Sequence, residues 1–530
     1  MQTGFVKLVW VVVALWVGIV AARVWGPSDL YDKEQPRTTS YTVDMVVNGR
    51  WLLPGDTFGI PATKPPLFNW ISVPFVEAFG FREWALKAPS ILASAGVVGC
   101  LIFLGRRTFG GEGEGREGFG MEVGCVAALL WLASPVTVKL LYVARPDMLL
   151  TAFLTGAWVA ATLMVKEPRV GAGVKVAFWL CTLGAALTKG PLAIFALVYL
   201  PLAALLIRRG AEGWRVLRQS GWWWGLPLLV AVMGAWLAGV YRANPEFVRE
   251  VLLGREVANR IGGWKVVTTF FNGPAYVITR FLPWSLAAIG GVWLAARLEK
   301  GKRWLAHPLG PALLWGAMIL AVFSLASTKR PDRYAPIYPA VAVMAAYPLA
   351  MLPRRLRVTA GCVAVAAALV AVGLCVQNQF FSEGAKTHYG ENVLAFARDV
   401  KAVVGQDVVL FLDGEQTPLE TLLGHVQDDP APVALQEKAL WVVRYLDAVG
   451  EARVVSGWIA QVDGGMPGDM QGRLGLYRLG PGEGVGAFAK AEGVEKKYAK
   501  GEIVREKAGE RARWLQFWRV HTRETGDAHK

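Results

Sequence analysis

The sequence predicts a mostly α-helical protein, a polytopic membrane helix bundle of about eleven spans followed by a small C-terminal soluble α/β domain. Hydrophobic residues make up 54% of the 530 residues, whereas charged residues make up only 18%. The hydrophobic residues form long blocks, and the basic residues collect in the short segments between those blocks. A soluble chain of this length would instead divide into domains with polar surfaces.

Eleven segments are apolar enough to cross a bilayer, which takes about 20 residues each. The first, Phe5–Val24, follows one lysine and has no small-residue cleavage site after a short apolar core, which predicts an uncleaved helix rather than a signal peptide. The other ten are Trp84–Leu104, Glu122–Tyr142, Met148–Val165, Val174–Leu187, Leu192–Ile207, Trp222–Tyr241, Ala275–Ala296, Leu309–Ser327, Ala335–Leu352 and Val358–Val376.

The basic residues predict the orientation of these spans. With the N-terminus in the cytoplasm, every inside loop is basic, as the positive-inside rule requires. This placement accounts for most of the net charge of +15 and argues against a nucleic-acid partner. It predicts a plasma (inner) membrane protein with an extracytoplasmic active site. The inside loops carry Arg106, Arg107 and Arg116; Lys166, Arg169 and Lys175; Arg208, Arg209, Arg215 and Arg218; Arg297, Lys300, Lys302 and Arg303; and Arg354, Arg355 and Arg357.

The chain after Gln377 differs from the rest because short strand-like and helix-like runs replace the long apolar blocks. We therefore predict two domains, a membrane domain over residues 1–376 and an extracytoplasmic α/β domain over residues 385–530. The runs of the second domain are Val408–Leu412, Arg453–Ile459 and Leu474–Leu479 for strands, and Glu391–Val403 and Leu435–Leu446 for helices.

The cysteines and histidines indicate no metal centre. All five cysteines lie inside apolar runs, and the five histidines are scattered without a metal-ligand spacing. The sequence therefore predicts no histidine–cysteine metal site and no certain cofactor, although external carboxylates could hold a divalent cation.

Several charged residues fall on the predicted outer side. Carboxylates just beyond a membrane helix, such as Asp32 and Glu34, can act as a general base or hold a cation, and a nearby lysine such as Lys64 can neutralise a phosphate. Asp147 lies at the membrane boundary, where an acid is costly unless it is functional or paired, the structural alternative being a salt bridge with Arg145. Lys189 is either a helix-end anchor or a positive charge near a substrate.

The first external segment resembles that of the bacterial aminoarabinose transferases, with the protein mannosyltransferases as looser relatives. Three motifs carry the resemblance: an acid followed by Arg37, then Gly49-x-Trp51-x-x-Pro54, then Lys64-Pro-Pro-Leu-x-x-Trp70. In this register Glu34 stands where the family usually has Asp. Either Glu34, the longer acid, has the role of that Asp, or Asp32 has this role instead.

Four further segments resemble the family in the family's order, over roughly the first two-thirds of the chain. All of them fall on the predicted outer side. They are Ala144–Thr151; Thr188–Pro191; Asn259–Gly263 with Asn272–Pro274 and Leu282–Trp284; and Ser327–Pro339. The resemblance implies Glu34, Asp147 and Asp32 as catalytic candidates. The substrate-binding candidates that it implies, several of them for the donor phosphate, are Arg37, Lys64, Lys189, Lys329, Arg330, Arg333 and Tyr334.

These enzymes take a sugar from a polyprenyl-phosphate carrier. The resemblance therefore implies inverting transfer of a sugar from such a donor to an envelope acceptor, which is a lipid A-like lipid, a glycan or a protein. Two alternatives are a transporter or flippase of lipid-linked glycans and a scaffold that anchors the tail. Transporters tend to have internal repeats and charged, broken helices near the midplane, but this sequence has no repeat and its charges lie in external segments.

Overall fold

The computed structural model describes residues 2–26, 34–55, 61–110, 116–167, 169–249, 252, 271–298, 304–324, 331–380, 409–411, 458–462, 474–478 and 518–519. Its contacts divide the chain into two compact units. The first comprises Met1–Gly26, Thr63–Ile71 and Lys87–Val376, and the second comprises Pro27–Ala62, Ser72–Leu86 and Gln377–Lys530.

The described part of the chain is mostly helical. Its α-helices are α1 (Gln2–Val24), α2 (Glu34–Asn48), α3 (Leu67–Phe79), α4 (Glu83–Phe109), α5 (Arg116–Leu132), α6 (Pro135–Leu140), α7 (Pro146–Lys166), α8 (Ala172–Lys189), α9 (Ile194–Ala203), α10 (Gly210–Gln219), α11 (Trp222–Ala243), α12 (Asn272–Arg280), α13 (Trp284–Leu298), α14 (Gly310–Ser324), α15 (Tyr338–Ala350) and α16 (Arg354–Phe380). A 3₁₀ turn (Gly190–Ala193) and a π turn (Ala204–Arg208) flank α9, and the 3₁₀ segment Pro331–Ile337 precedes α15.

The membrane class is confirmed, but the predicted number of eleven spans is not. Among the described residues, six helical stretches are long and apolar enough to cross a bilayer, or seven if the bent pair α12–α13 counts as one span. Three shorter apolar helices accompany them, at Leu67–Phe79, Gly118–Leu132 and Gly310–Ser324.

Two predicted spans are broken in the structure and a third begins later than predicted, and a proline lies at each of these positions. The predicted span Glu122–Tyr142 divides because Pro135 has no N–H to continue α5 and instead begins α6. Pro283 separates α12 from α13, which meet at 106° inside the predicted span Ala275–Ala296. The predicted start of a helix at Ala335 is wrong because the 3₁₀ segment with Pro336 inside it continues to Ile337.

Helices α8 and α9 run in opposite directions along α7. Lys189, at the end of α8, contacts Asp147 at the start of α7. Tyr199 in α9 contacts Thr162, and Arg208 beyond α9 donates to the carbonyls of Val165 and Lys166 at the far end of α7. The chain therefore reverses at Gly190–Ala193, so that Lys189 and Asp147 meet at one end of α7.

An aromatic cluster holds α7, α9 and α14 together. The rings of Trp158 and Trp315 stack at 6.2 Å, and Tyr199 meets Trp315 edge-on at 5.1 Å. The indole of Trp158 and the hydroxyl of Tyr199 both donate to the carbonyl of Pro311, at 3.3 and 3.1 Å. Because every polar atom of these side chains that faces the apolar interior has a partner, the cluster fixes the helices without an unpaired polar group.

The described strands of the tail form one four-stranded sheet. β2 (Trp458–Val462) pairs in parallel with β1 (Val409–Phe411) and antiparallel with β3 (Leu474–Arg478) and β4 (Trp518–Arg519). Strands β1, β2 and β3 overlap the three predicted strand-like runs. The predicted helices Glu391–Val403 and Leu435–Leu446 lie outside the described residues, and the α/β domain remains a prediction.

Candidate active site

The start of α7 places Asp147 at a helix N-terminus. Arg145 is extended (φ −144°, ψ 144°) and precedes Pro146, the first helical residue. A proline suits this position because its missing N–H would have no partner in the first turn anyway. The positive end of the helix dipole favours the carboxylate of Asp147 in that turn.

Asp147 is the centre of a charge network in the first unit. Its Oδ1 lies 2.6 Å from Nζ of Lys189, and its Oδ2 lies 3.4 Å from Nε of Arg145. Arg145 donates in turn through Nη1 to Oδ2 of Asp332 at 3.1 Å. The side chains of Asp147 and Arg145 are only 5% and 9% exposed. The salt bridge with Arg145, which is the structural alternative for Asp147, is therefore present, together with a second ion pair to Lys189 that the sequence analysis did not predict.

The end of α8 positions Lys189. Gly190 follows it with φ +53° and ψ −106°, a combination that an L side chain adopts only with strain. The glycine lets the chain stop α8 and turn into the 3₁₀ segment within one residue. Lys189 therefore remains at the last helical position, 15% exposed and directed at Asp147.

The Ser327–Pro339 motif contributes Asp332, Arg333 and Tyr334. Arg333 is half-buried, and Tyr334 is buried with its hydroxyl 3.5 Å from the carbonyl of Phe323. Burial, helped by the neighbouring Tyr276 and opposed by Arg333, raises the pKa of Tyr334 to about 12. The phenol is therefore a neutral donor at physiological pH.

The Asn272–Pro274 motif meets this segment. A Cβ on Gly273 would lie 2.6 Å from the hydroxyl of Tyr334 and 3.0 Å from Oγ of Ser324. Real Cβ atoms do not approach so closely, so only glycine allows α12 to start against Tyr334.

Lys64 adds an exposed cation to the same unit. Its side chain is exposed after a bend that ends in the buried prolines Pro65 and Pro66, and its charge also attracts the carboxylate of Asp147. With Arg145 and Lys189, it makes three cations against the carboxylates of Asp147 and Asp332. The described part of this network is therefore net positive, which suits an anionic group.

Sequence reasoning missed the residues that hold the loop before α7. Nζ of Lys87 lies 4.3 Å from the ring centre of Tyr142, and the guanidinium of Arg23 lies 5.5 Å from it. Oγ of Ser90, one turn after Lys87 on α4, donates to the carbonyl of Val143 at 2.6 Å. Lys87 and Arg23 are buried, and charges within predicted spans were the available signal.

The first two motifs of the first external segment lie in the second unit, where they form part of α2 and the turn that follows it. Glu34 begins α2, and Arg37 is exposed with Nε donating to the hydroxyl of Tyr41 at 3.0 Å. The buried carboxylate of Asp44 accepts from the amide of Asn48 and from the backbone N–H of Gly55, both at 2.7 Å. The Gly49–Pro54 motif therefore closes a turn around Asp44.

Three candidates, Asp32, Lys329 and Arg330, lie outside the described residues. Within the residues that were described, no group of three or more histidine, cysteine, aspartate or glutamate side chains is arranged to hold a metal ion.

The family model of the dolichyl-phosphate-mannose-protein mannosyltransferases matches residues 63–238. An uncharacterized protein of Aquifex aeolicus (strain VF5) is 24% identical over 329 residues, which are 61% of this chain and 59% of that relative. The match therefore spans less than two-thirds of the relative's length.

Two crystal structures of ArnT from Cupriavidus metallidurans share the fold. The apo structure has a TM-score of 0.57 at 22% identity, and the structure bound to undecaprenyl phosphate has a TM-score of 0.56 at 21% identity. Each comparison covers 85% of this chain and 77% of ArnT. The resemblance to polyprenyl-phosphate-dependent glycosyltransferases that the loop motifs indicate is confirmed, and the comparisons do not favour the transporter alternative.

Proposed function

We propose that this chain is an inverting glycosyltransferase that moves a sugar from a polyprenyl-phosphate carrier to an envelope acceptor. One observation carries the proposal: the ion-pair network of Asp147, Lys189, Arg145 and Asp332 joins three family-like motifs that are up to 187 residues apart in sequence. Asp147 and Arg145 are buried and their partners are partly buried, and burying charges is costly, which favours a functional arrangement over a chance one.

The reaction that this network would serve moves negative charge onto a phosphate. The acceptor oxygen forms a bond to the anomeric carbon while the bond from that carbon to the phosphate oxygen breaks. The diester monoanion thus leaves as a monoester carrying a second negative charge. Lys64, Lys189 and Arg333 would stabilise that growing charge, because preorganised cations act where charge develops in the transition state.

Asp147 would act by orienting cations rather than by accepting a proton. Both of its oxygens contact a cation, at 2.6 and 3.4 Å, so it holds Lys189 and Arg145 in place. The general base for a hydroxyl acceptor would then come from the first external segment, from Glu34 or from Asp32.

The remaining substrate-binding candidates complete the binding site for the donor phosphate in this proposal. Arg37, Lys329 and Arg330 would add cations around the phosphate, where a guanidinium can bind two oxygens at once. The neutral hydroxyl of Tyr334 would exchange its contact with the carbonyl of Phe323 for a hydrogen bond to the donor, without changing the charge.

The proposal places this chemistry outside the plasma (inner) membrane, with about eleven spans over residues 1–376 and an α/β domain over residues 385–530. It rests on the basic inside loops. The acceptor would be a lipid A-like lipid, a glycan or a protein, and the tail domain would lie on the acceptor's side of the membrane.

Mass spectrometry of envelope lipids, glycans and proteins tests the function and identifies the acceptor. We expect cells that express the chain to contain a glycosylated acceptor that is absent with Asp147→Asn, while the lipid-linked donor accumulates. Glu122→Gln is the matched control, because it removes another ion-paired carboxylate, the partner of Arg357 at 2.7 Å. An identical set of glycosylated species with and without the gene would exclude the proposed transfer.

A further inference from the structure

A small polar cavity lies at the opposite end of α7 from Asp147. The helix has 21 residues, so about 30 Å separate its ends. Met164 and Glu167 line the cavity from α7, Lys175 lines it from α8, and Arg208 lines it from the end of the π turn. If Asp147 faces one side of the membrane, this cavity faces the other.

Helix α10 forms the remaining wall with one face. Glu212, Arg215, Val216 and Gln219 line the cavity and are spaced i, i+3, i+4 and i+7, which is a single face of a helix. Trp214 and Arg218 lie on the other side and are exposed, Trp214 by 58%. An amphipathic helix with exposed tryptophan and arginine is typical of a membrane interface.

Both carboxylates that line the cavity form ion pairs, but two of its basic residues do not within the described part of the chain. Arg107 binds both oxygens of Glu167 at 2.7 Å, and Glu212 lies 3.7 Å from Arg208. Among the described residues, neither Lys175 nor Arg215 forms an ion pair. Two cations from different helices, Lys175 of α8 and Arg215 of α10, therefore line the cavity without an ion pair among the described residues.

We propose that this cavity binds the phosphate head group of an anionic phospholipid in the leaflet opposite to the active site. Basic pockets at the cytoplasmic ends of membrane helices attract such head groups, and the exposed Trp214 places the cavity at the depth where they lie. The cavity volume of about 90 Å³ is several times the roughly 10–15 Å³ that one water molecule needs. It suits a phosphate group rather than a nucleotide.

Native mass spectrometry of the full-length chain in detergent tests the site with phosphatidylglycerol, phosphatidylcholine and inorganic phosphate. The double variant Lys175→Gln/Arg215→Gln should weaken phosphatidylglycerol binding by more than tenfold, since it removes both charge-assisted contacts to the phosphate group in the cavity. The matched control Lys7→Gln/Arg218→Gln removes two exposed charges outside the cavity and should bind within about twofold of wild type.

Three outcomes would overturn the proposal. The double variant could bind phosphatidylglycerol as tightly as wild type does, phosphatidylcholine could bind equally well, or inorganic phosphate could displace the lipid at equal concentration, which would identify a free anion as the ligand. If the double variant fails to fold, Arg215→Gln alone gives the same test, because this residue is exposed. The readout is binding, so it does not depend on glycosyl transfer.

Discussion

Asp147 contacts two cations at once, and this limits what the residue can do. A carboxylate whose oxygens both face positive groups is a poor proton acceptor, because the cations stabilise its charged form. Its partners come from places that no spacing rule connects: Lys189 is 42 residues away, and Asp332 reaches Arg145 across 187 residues. The sequence could therefore indicate the individual charges but not their pairing.

The first prediction concerns the basic residues that would bind the donor phosphate. Lys64→Ala and Arg333→Ala should each reduce transfer more than tenfold while leaving the fold intact, because a charge-assisted contact to a phosphate is worth about 1.5–3 kcal/mol. Turnover by the purified variants and their circular dichroism measure the two effects. Lys7→Ala is the control, since it removes an exposed lysine far along the chain from the motifs. Wild-type turnover in both variants would exclude a donor-phosphate role.

The second prediction separates the two acids of the first external segment. Glu34→Gln keeps the size and hydrogen bonding of the side chain but removes the base, so it should abolish transfer to a hydroxyl acceptor and only weaken transfer to an ionised phosphate. Asp32→Asn is the matched control. An inactive Asp32→Asn beside a fully active Glu34→Gln would move the catalytic role to Asp32 and shift the motif register by two residues.

At the scale of elements, prolines and glycines decide where the apolar runs break. The runs themselves predicted α1, α4, α7 and α11 to within a few residues, because period and length are visible in the sequence. The bend between α12 and α13 depends on where Pro283 lies in the fold, since a proline can also kink a helix that continues. The reversal at Gly190 depends on contacts with α7 and could not be read from composition.

The third prediction follows from that reversal. Gly190→Ala should lower transfer and stability, because the observed φ of +53° costs an L residue about 1–2 kcal/mol and relief of that strain would move Lys189 away from Asp147. Gly99→Ala is the control, since a Cβ there meets no atom within 4 Å and alanine favours a helix. Turnover and thermal unfolding of both variants check the prediction. Equal losses in the two variants would show that the turn at Gly190 has no special role.

For the whole molecule, the distribution of basic residues carries information that local patterns lack. It predicts on which side each end of α7 lies, and the structure places the ion pairs of Asp147 and the polar cavity at opposite ends of that helix. Less of the fold of the tail could be predicted from its sequence, because its strand-like runs are short and strand pairing depends on partners far along the chain.

The fourth prediction tests this orientation. Reporter fusions after Gly210 and after Glu383 should lie in opposite compartments, with the first in the cytoplasm, as the positive-inside rule requires. A pair of reporters with activity in each compartment measures both. Cytoplasmic signals from both fusions would contradict the prediction that the active site is extracytoplasmic.

The most direct measurement is turnover by the purified, full-length chain with a synthetic polyprenyl-phosphate sugar and an envelope extract as acceptor. We expect wild type to release polyprenyl phosphate in amounts equal to the sugar transferred, and Asp147→Asn and Lys189→Met to lose this activity by more than tenfold each. Because both variants break the same ion pair, the double variant should lose little more than either one alone. Donor that stays intact with wild type, or intact donor that merely moves between the leaflets of a vesicle, would contradict the assignment as a glycosyltransferase.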